Sequence, residues 1–125
     1  MVENLLPILR DRYPEFFSSA PLREIACLPG WLDLIDELCG TLKSHLDAHP
    51  EVPQIRVRQL KEKFGGLRFY YSGGDRTCRE LVACSEERSM SICEVCGQAG
   101  ILGGERWLSV RCLDHVNWSP SGDCA

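Results

Sequence analysis

The chain has 125 residues, a formal net charge of −4, and 44% hydrophobic and 26% charged residues. This length and apolar content predict one ordinary globular domain with a modest core. No run approaches the roughly 18 consecutive apolar residues that a membrane span requires, and the first residues lack the basic stretch that opens a signal peptide. We therefore expect a cytoplasmic protein, folded over 1–125, that does not contact a membrane.

The first thirty residues predict one helix and a linker. Residues 4–12 have helical spacing, and Pro14 ends or kinks this helix. Phe16 and Phe17 are expected in the core. Residues 18–29 contain two prolines and are interpreted as a linker with room for one helical turn.

Residues 30–48 form the clearest predicted helix. A broad apolar stripe marks the face that packs against a core: Trp31, Leu34, Ile35, Leu38, Cys39, Leu42 and Leu46. Pro50 stops the helix. His45 and His49 are four residues apart and could face one metal ion, but no metalloprotease glutamate accompanies them. We favour a helix end whose basic side chains complement the helix dipole.

Residues 54–72 predict a β-hairpin that turns at Gly65-Gly66. A two-residue turn at that position places Phe64 opposite Leu67. The apolar side chains then share a face that should pack on the long helix: Leu60, Phe64, Leu67, Phe69 and Tyr71.

Two positions in the first strand of this hairpin do not fit the alternation. Ile55 and Val57 are out of phase with Leu60 in the alternation of inward and outward side chains, which predicts a bulge or bend near Gln59. Glu62 falls among the apolar side chains, so it either reaches the rim or makes a specific pair with a partner that the sequence does not name.

The same hairpin carries all six candidate partner-binding residues. They are Arg56, Arg58, Lys61, Lys63, Arg68 and Tyr70. Residues 55–70 have a net charge of +4, whereas the other residues have a net charge of −8. A basic, tyrosine-bearing strand face on an acidic protein could meet nucleic acid, an acidic protein, or the protein's own acidic surface. A solvated sheet face whose lysines protect an edge is the other interpretation.

A third helix is predicted after the hairpin. Thr77 and Glu80 have the spacing of a capping box, which predicts that this helix begins near Thr77 and runs to about Ser89. Its inward face is expected to consist of Cys78, Leu81, Val82 and Ser85.

The strongest chemical signal is a pair of short metal-ligand motifs. Cys93-x2-Cys96 and Cys112-x2-His115 are separated by fifteen residues, a spacing typical of a tetrahedral Cys3His zinc site. Because four ligands fill the shell and leave no position for water or substrate, the zinc is expected to be structural. A catalytic zinc and four unrelated residues in a reduced core are the weaker alternatives.

The residues around these ligands predict a small zinc module over 92–118. Gly97 permits a tight knuckle, and apolar residues on either side of Gly103-Gly104 predict a hairpin with a two-residue turn. Residues 113–115 are interpreted as the first turn of a short helix that carries the second ligand pair. Knuckle, hairpin and helical turn together predict a treble-clef-like module.

These segments combine into a predicted α+β fold, in which two or three helices pack on a β-hairpin. The predicted domain divides into four parts: a helical part at 1–50, the hairpin and helix at 51–91, the integrated zinc module at 92–118, and a tail at 119–125.

Five cysteines lie outside the predicted zinc site, and an odd number cannot all form disulfides. Cys39 and Cys78 fall on apolar helix faces and are interpreted as small buried hydrophobes. Cys84 is not assigned. Cys27 lies in the turn-rich linker, and Cys124 is expected to be exposed in a polar tail without a function.

Three stretches carry a resemblance to a known group of proteins. GWLDLIDELC, KEKFGGLRFYYSG and SICEVCG, followed by Cys112-x2-His115, resemble a family of small uncharacterised bacterial and bacteriophage proteins. The resemblance covers roughly residues 30 to 115. It implies the zinc ligands and the architecture but no activity. A phage setting would favour a protein that binds and disables a host or defence factor.

Three functions follow as hypotheses. The first is a non-enzymatic, zinc-stabilised protein-binding module whose basic hairpin meets an acidic partner. The second is a nucleic-acid-binding treble-clef protein, in which the basic side chains contact phosphates and Tyr70 stacks on a base. The third and weakest is an HNH-like nuclease, which needs a histidine in the zinc hairpin. Residues 97–111 contain none.

Overall fold

A computed structural model describes residues 5–18, 25–104 and 107–116 of the chain. Within these ranges the fold is α+β, as predicted. Its helices and strands are α1 (Leu6–Arg12), α2 (Pro14–Phe17), α3 (Leu32–Ala48), β1 (Arg56–Lys63), β2 (Gly66–Ser72), α4 (Arg76–Ser89), β3 (Ile101–Gly103) and β4 (Ser109–Arg111). The strands form two separate antiparallel hairpins. None of the described helices is both long and apolar enough to cross a membrane.

The two short N-terminal helices are joined at a proline. Pro14 does not only end α1, because it also occupies the first position of α2, where its missing N–H group costs nothing. Phe16 and Phe17 are buried, as predicted. Tyr13, at the junction, donates from its hydroxyl to the Asp36 carboxylate at 2.7 Å, which connects these helices to α3.

The predicted linker is partly wrong, because its described end pairs with the sheet. The Ala26 N–H donates to the Leu60 carbonyl at 3.0 Å, and the Glu62 N–H donates to the Ala26 carbonyl at 3.1 Å. Ile25 and Cys27, on either side of Ala26, are buried. Residues 25–27 therefore cover the outer edge of β1 with one parallel bridge. Residues 19–24 lie outside the described part.

Helix α3 confirms the apolar stripe. A 3-10 helix at Pro29–Trp31 leads into it, and its buried residues are Leu34, Ile35, Leu38, Cys39 and Leu42. Trp31 is fully buried and Leu46 packs on the edge of the same core. This helix contacts α4, and α4 in turn contacts β2, so the core lies between the two long helices and the first hairpin.

The first hairpin turns one residue earlier than predicted. Lys63 pairs with Gly66 and Glu62 pairs with Leu67, so the turn consists of Phe64 and Gly65. Both turn residues have positive φ, 53° and 88°, as a type I′ turn requires. The predicted pairing of Phe64 with Leu67 is therefore wrong, and Phe64 is 68% exposed instead of packed on the helix.

Two other predictions for this hairpin hold. The register shifts between Val57 and Gln59, which confirms the predicted bulge and returns Val57 to the buried face. Glu62 does make a specific pair: its carboxylate accepts the Gly65 N–H at 2.6 Å. This bond holds the tight turn, so Glu62 has a structural role at the rim.

The N-cap of helix α4 lies two residues before the position that the capping box predicts. Asp75 is the N-cap, and its carboxylate accepts the Cys78 N–H at 3.0 Å, so the prediction of Thr77 as cap is wrong. The inward face is confirmed for Cys78, Val82 and Ser85. The helix also covers the free edge of β2, because Ser89 and Glu86 side chains accept the N–H groups of Leu67 and Phe69 at 2.9 Å.

Candidate metal centre

The first ligand pair lies on a tight knuckle that follows α4. The Gly97 N–H donates to the Cys93 carbonyl at 2.9 Å, and the Cys93 N–H donates to the Gln98 carbonyl at 2.7 Å. Gly97 has a φ of 83°, a conformation that glycine adopts without strain. These bonds bring Cys93 and Cys96 to one side of the knuckle, which confirms the predicted role of Gly97.

The second ligand pair follows β4. Cys112 precedes a 3-10 helix at Leu113–His115, and the His115 N–H donates to the Cys112 carbonyl at 3.1 Å. The predicted two-residue turn of this hairpin is wrong, because Gly103 pairs with Ser109 and more than two residues separate the strands. The wrong turn does not affect the predicted ligand group, because the pairing of β3 with β4 positions Cys112.

The four predicted ligands lie together. Their coordinating atoms are all within 4.8 Å of one another. Cys96 Sγ and Cys112 Sγ are 3.7 Å apart, Cys93 Sγ and His115 Nδ1 are 3.8 Å apart, and Cys112 Sγ and His115 Nδ1 are 3.2 Å apart. Zinc–sulfur and zinc–nitrogen bonds of typical length give tetrahedral edges of about 3.8 Å and about 3.5 Å. The site therefore has the size of a tetrahedral metal shell.

The local electrostatics favour a bound cation at Cys93. Burial raises the pKa of Cys93, but backbone hydrogen bonds from Cys112, Cys96 and Val95 outweigh it and lower this pKa to about 7. The backbone hydrogen bond of Gln98 acts to lower the pKa of Cys96, but burial and then the neighbouring Cys112 and Cys93 thiols outweigh it and raise this pKa. A thiolate is the metal-binding form of cysteine. The knuckle thus favours the thiolate form of Cys93 more than that of Cys96.

Glu94, inside the knuckle, is a structural residue that the sequence analysis missed. It is only 4% exposed. Its carboxylate accepts the Leu28 N–H at 3.1 Å and pairs with Arg111 of β4 at 3.4 Å. Burial raises the pKa of Glu94, while the Leu28 N–H and Arg111 oppose that rise. Glu94 therefore connects the knuckle to both its own hairpin and the segment before α3.

Gly30 and Trp31 complete this junction. The Gly30 N–H donates to the Glu94 carbonyl at 2.7 Å, and Trp31 Nε1 donates to the Ile92 carbonyl at 3.0 Å. A Cβ atom on Gly30 would lie 2.4 Å from the carbonyl oxygens of Cys93 and Glu94. Only glycine fits at this approach, so the start of α3 packs directly on the metal knuckle.

The predicted partner-binding residues lie on the outer face of the first hairpin or near its bulge. Lys61 is directly opposite Arg68, and Gln59 is opposite Tyr70. Arg56, Arg58, Lys63 and Tyr70 are exposed, and Lys61 and Arg68 are half-buried. In the described part of the chain, none of the salt bridges involves any of the five basic residues of this group.

The paired histidines do not form a second metal site with each other. His49 Nδ1 lies 3.0 Å from the His45 carbonyl, whereas His45 Nε2 lies 2.9 Å from the Asp75 carboxylate. Cys78 is close enough to join His45 and Asp75 in a metal-sized group, but burial raises the pKa of this thiol. Because Asp75 already caps α4, we interpret the contact as a helix-to-helix ion pair.

The remaining cysteines are mostly buried thiols. Cys39 and Cys78 are buried as predicted, and Cys27 is buried although it lies in the predicted linker. Burial, reinforced by Glu94, raises the pKa of Cys27 to about 12, which keeps it protonated and unreactive. Cys84 is exposed on α4. Cys124 lies outside the described residues.

Comparison with known proteins adds no family. No protein-family model matches the chain, and no curated protein or solved structure matches it at a significant level.

Proposed function

We propose that this chain is a non-enzymatic, zinc-stabilised protein-binding module that meets an acidic partner through its first hairpin. The observation that carries the proposal is the outer face of that hairpin. Five basic side chains lie there without a carboxylate partner in the described part of the chain. Like charges held side by side, such as Lys61 opposite Arg68, repel one another until an acidic partner covers them.

Zinc is the metal that this ligand set favours. Three thiolates and one imidazole in a tetrahedral shell suit Zn²⁺ better than Mg²⁺ or Ca²⁺, which prefer oxygen ligands. Four protein ligands leave no open position, so the bound metal would hold the fold and would not activate water. The knuckle, hairpin and helical turn support a treble-clef-like description, and the reduced thiols suit a cytoplasmic protein.

Nucleic acid is the second candidate, because exposed Tyr70 lies on the same face as Lys61 and Arg68. The net charge of −8 outside residues 55–70 repels phosphate and carboxylate groups alike, so it confines either kind of ligand to the hairpin. A nuclease of the HNH type is less well supported, because residues 97–111 contain no histidine. If the resemblance to bacteriophage proteins holds, the acidic partner is a host or defence factor.

The test uses two acidic probes on the zinc-loaded chain. A fluorescent polyglutamate peptide and a single-stranded oligonucleotide of equal charge are titrated at several salt concentrations, and binding is followed by anisotropy. We expect the peptide to bind more tightly and K61E/R68E to abolish its binding. Preferred oligonucleotide binding, with a steep loss in salt, would instead support the nucleic-acid candidate.

This test has two controls, a charge-reversed variant outside the hairpin and a measurement of the metal content of each variant. The change K43E reverses a lysine of α3 that already pairs with Asp47, so it alters net charge without touching the hairpin. Native mass spectrometry with and without chelator should show one zinc ion per chain in every variant. If K43E weakens peptide binding as much as K61E/R68E does, the hairpin is only a solvated face.

A further inference from the structure

An apolar groove lies beside the metal centre. It has a volume of about 580 Å³ and is lined mainly by Ile101, Leu102, Trp107, Leu113 and Val116. These side chains face solvent: Ile101 is 78% exposed, Trp107 77%, Leu113 91% and Val116 65%. Contiguous exposed apolar surface of this kind marks interaction sites in soluble proteins.

The exposed apolar residues are not scattered over the protein. All eight large apolar side chains that are exposed in the described part of the chain lie in the two hairpins and the segment after β4, and none lies on an α-helix. Within the metal hairpin, Val110 is the large apolar residue that is fully buried. The pairing of β3 with β4 and the buried Val110 side chain hold this hairpin, so its folding does not explain the exposed groove residues.

The groove is continuous with the basic face. A Cβ atom on Gly65, in the turn of the first hairpin, would lie 2.3 Å from Leu102 Cδ1 and 3.5 Å from Leu108. The tip of the first hairpin therefore packs against the groove wall. Phe64 is exposed at the same tip, with Lys63 Nζ 5.7 Å from its ring centroid. One surface thus passes from basic side chains to an apolar groove.

We infer that this groove is the anchor site for a large apolar side chain on the same acidic protein segment. The inference rests on the proposed function for the acidic character of the partner, and it adds the class of residue that the partner must carry. Charge complementarity determines the occupant: the groove adjoins the first hairpin at Gly65, in the turn that follows Lys63, so an apolar residue flanked by acidic residues fits both parts. The lining is mainly aliphatic, which suits a side chain better than a base.

The experiment compares two synthetic peptides on the zinc-loaded full chain. Both peptides contain the same run of glutamates, and one has a single tryptophan where the other has serine. Burying one large apolar side chain should make the tryptophan peptide bind about ten- to a hundredfold more tightly. The change L113S should remove most of this difference and leave binding of the serine peptide unchanged. Because Leu113 is exposed, this variant should fold and keep its metal.

Trp107→Ser is a second, independent variant in the groove, and A83S on the exposed surface of α4 is the matched control. If the serine peptide does not bind, the proposed function fails. If it binds and the tryptophan peptide binds no more tightly, only the anchor inference fails. Sedimentation of the free chain tests the other occupant: a dimer that L113S dissociates would show a second copy in the groove and would overturn the inference.

Discussion

The helical body and the metal module of this chain are stabilised in different ways. The body buries many large side chains, including Trp31, Ile35, Leu42 and Leu67, in one core cluster. In residues 93–116, by contrast, the described buried residues are Cys93, Glu94 and Val110. A short hairpin with so little buried apolar surface is marginal in water. The comparison teaches that burial folds the body, and we expect metal coordination to fold the module.

The two regions meet mainly through hydrogen bonds, together with apolar contacts of Ile92 with the body core and of Leu102 with the turn of the first hairpin. Backbone and side-chain hydrogen bonds join Leu28, Gly30 and Trp31 to residues 92–94. Such a junction positions the module but contributes less than a packed interface. We therefore expect the module to respond strongly to metal loss, the body to respond strongly to core truncation, and the junction to show intermediate effects.

Loss of one metal ligand should have the largest effect. A structural zinc site of this class can contribute on the order of 10 kcal/mol to folding, so Cys112→Ser should unfold residues 92–116 and release the metal. Hydrogen exchange should show lost protection in the module. The control is Cys84→Ser, because Cys84 is exposed and lies outside the site.

Unchanged metal content and unchanged protection in Cys112→Ser would refute the metal-held module. Loss of protection that is confined to residues 92–116 would sharpen the comparison, because it would show that the body folds without the metal.

Core truncation in the body should come second. Leu42 is fully buried on α3, and replacing a buried leucine by alanine costs about 2–5 kcal/mol. Leu42→Ala should therefore lower the free energy of unfolding by that amount in urea denaturation. Leu113→Ala is the matched control, because this leucine of the metal module is exposed and should change stability by less than about 0.5 kcal/mol. Equal losses from the two variants would contradict the assignment of the core to the body.

Changes at the junction should have a smaller effect. Glu94→Ala leaves the buried Leu28 N–H without its acceptor, which costs about 1–3 kcal/mol. Glu94→Gln keeps an amide oxygen for that N–H group and should lose less. Thermal melting and metal affinity check both variants. If Glu94→Ala matches the wild type in both measurements, the carboxylate does not connect the two regions.

Much of the fold and the ligand set could be predicted from the sequence, for local reasons. The stripe on α3 and the bulge near Gln59 follow from side-chain periodicity, which depends only on neighbouring residues. The four ligands follow from spacing, because a knuckle and a helical turn each fix two atoms locally. These features needed no knowledge of how distant segments pack.

The errors arose where distant segments or competing turns decide the structure. A Gly-Gly turn predicts that Phe64 points inward, yet Glu62 stabilises the Phe64-Gly65 turn by accepting the Gly65 N–H. The pairing of Ala26 with β1 and the burial of Glu94 depend on segments more than thirty residues apart. No local pattern could indicate them.

The ion pair between α3 and α4 gives the smallest expected effect, and its pH dependence has a definite sign. The hydrogen bond with His45, followed by the Cys78 N–H, holds the pKa of Asp75 well below its usual range. A lowered folded-state pKa stabilises the protein above the ordinary aspartate pKa of about 3.9, and this contribution is lost as the pH falls below it. The substitution Asp75→Asn tests this contribution, because it keeps an acceptor for the Cys78 N–H but removes the charge. Its Tm should lie a few degrees below the wild type near neutral pH, and the gap should close in acid. Acid release of the metal affects both proteins and cancels in this difference. Asp47→Asn, which removes an exposed partner of Lys43, should change Tm very little. A gap that stays constant from neutral pH into acid would show that Asp75 acts only as a helix cap and not through its charge.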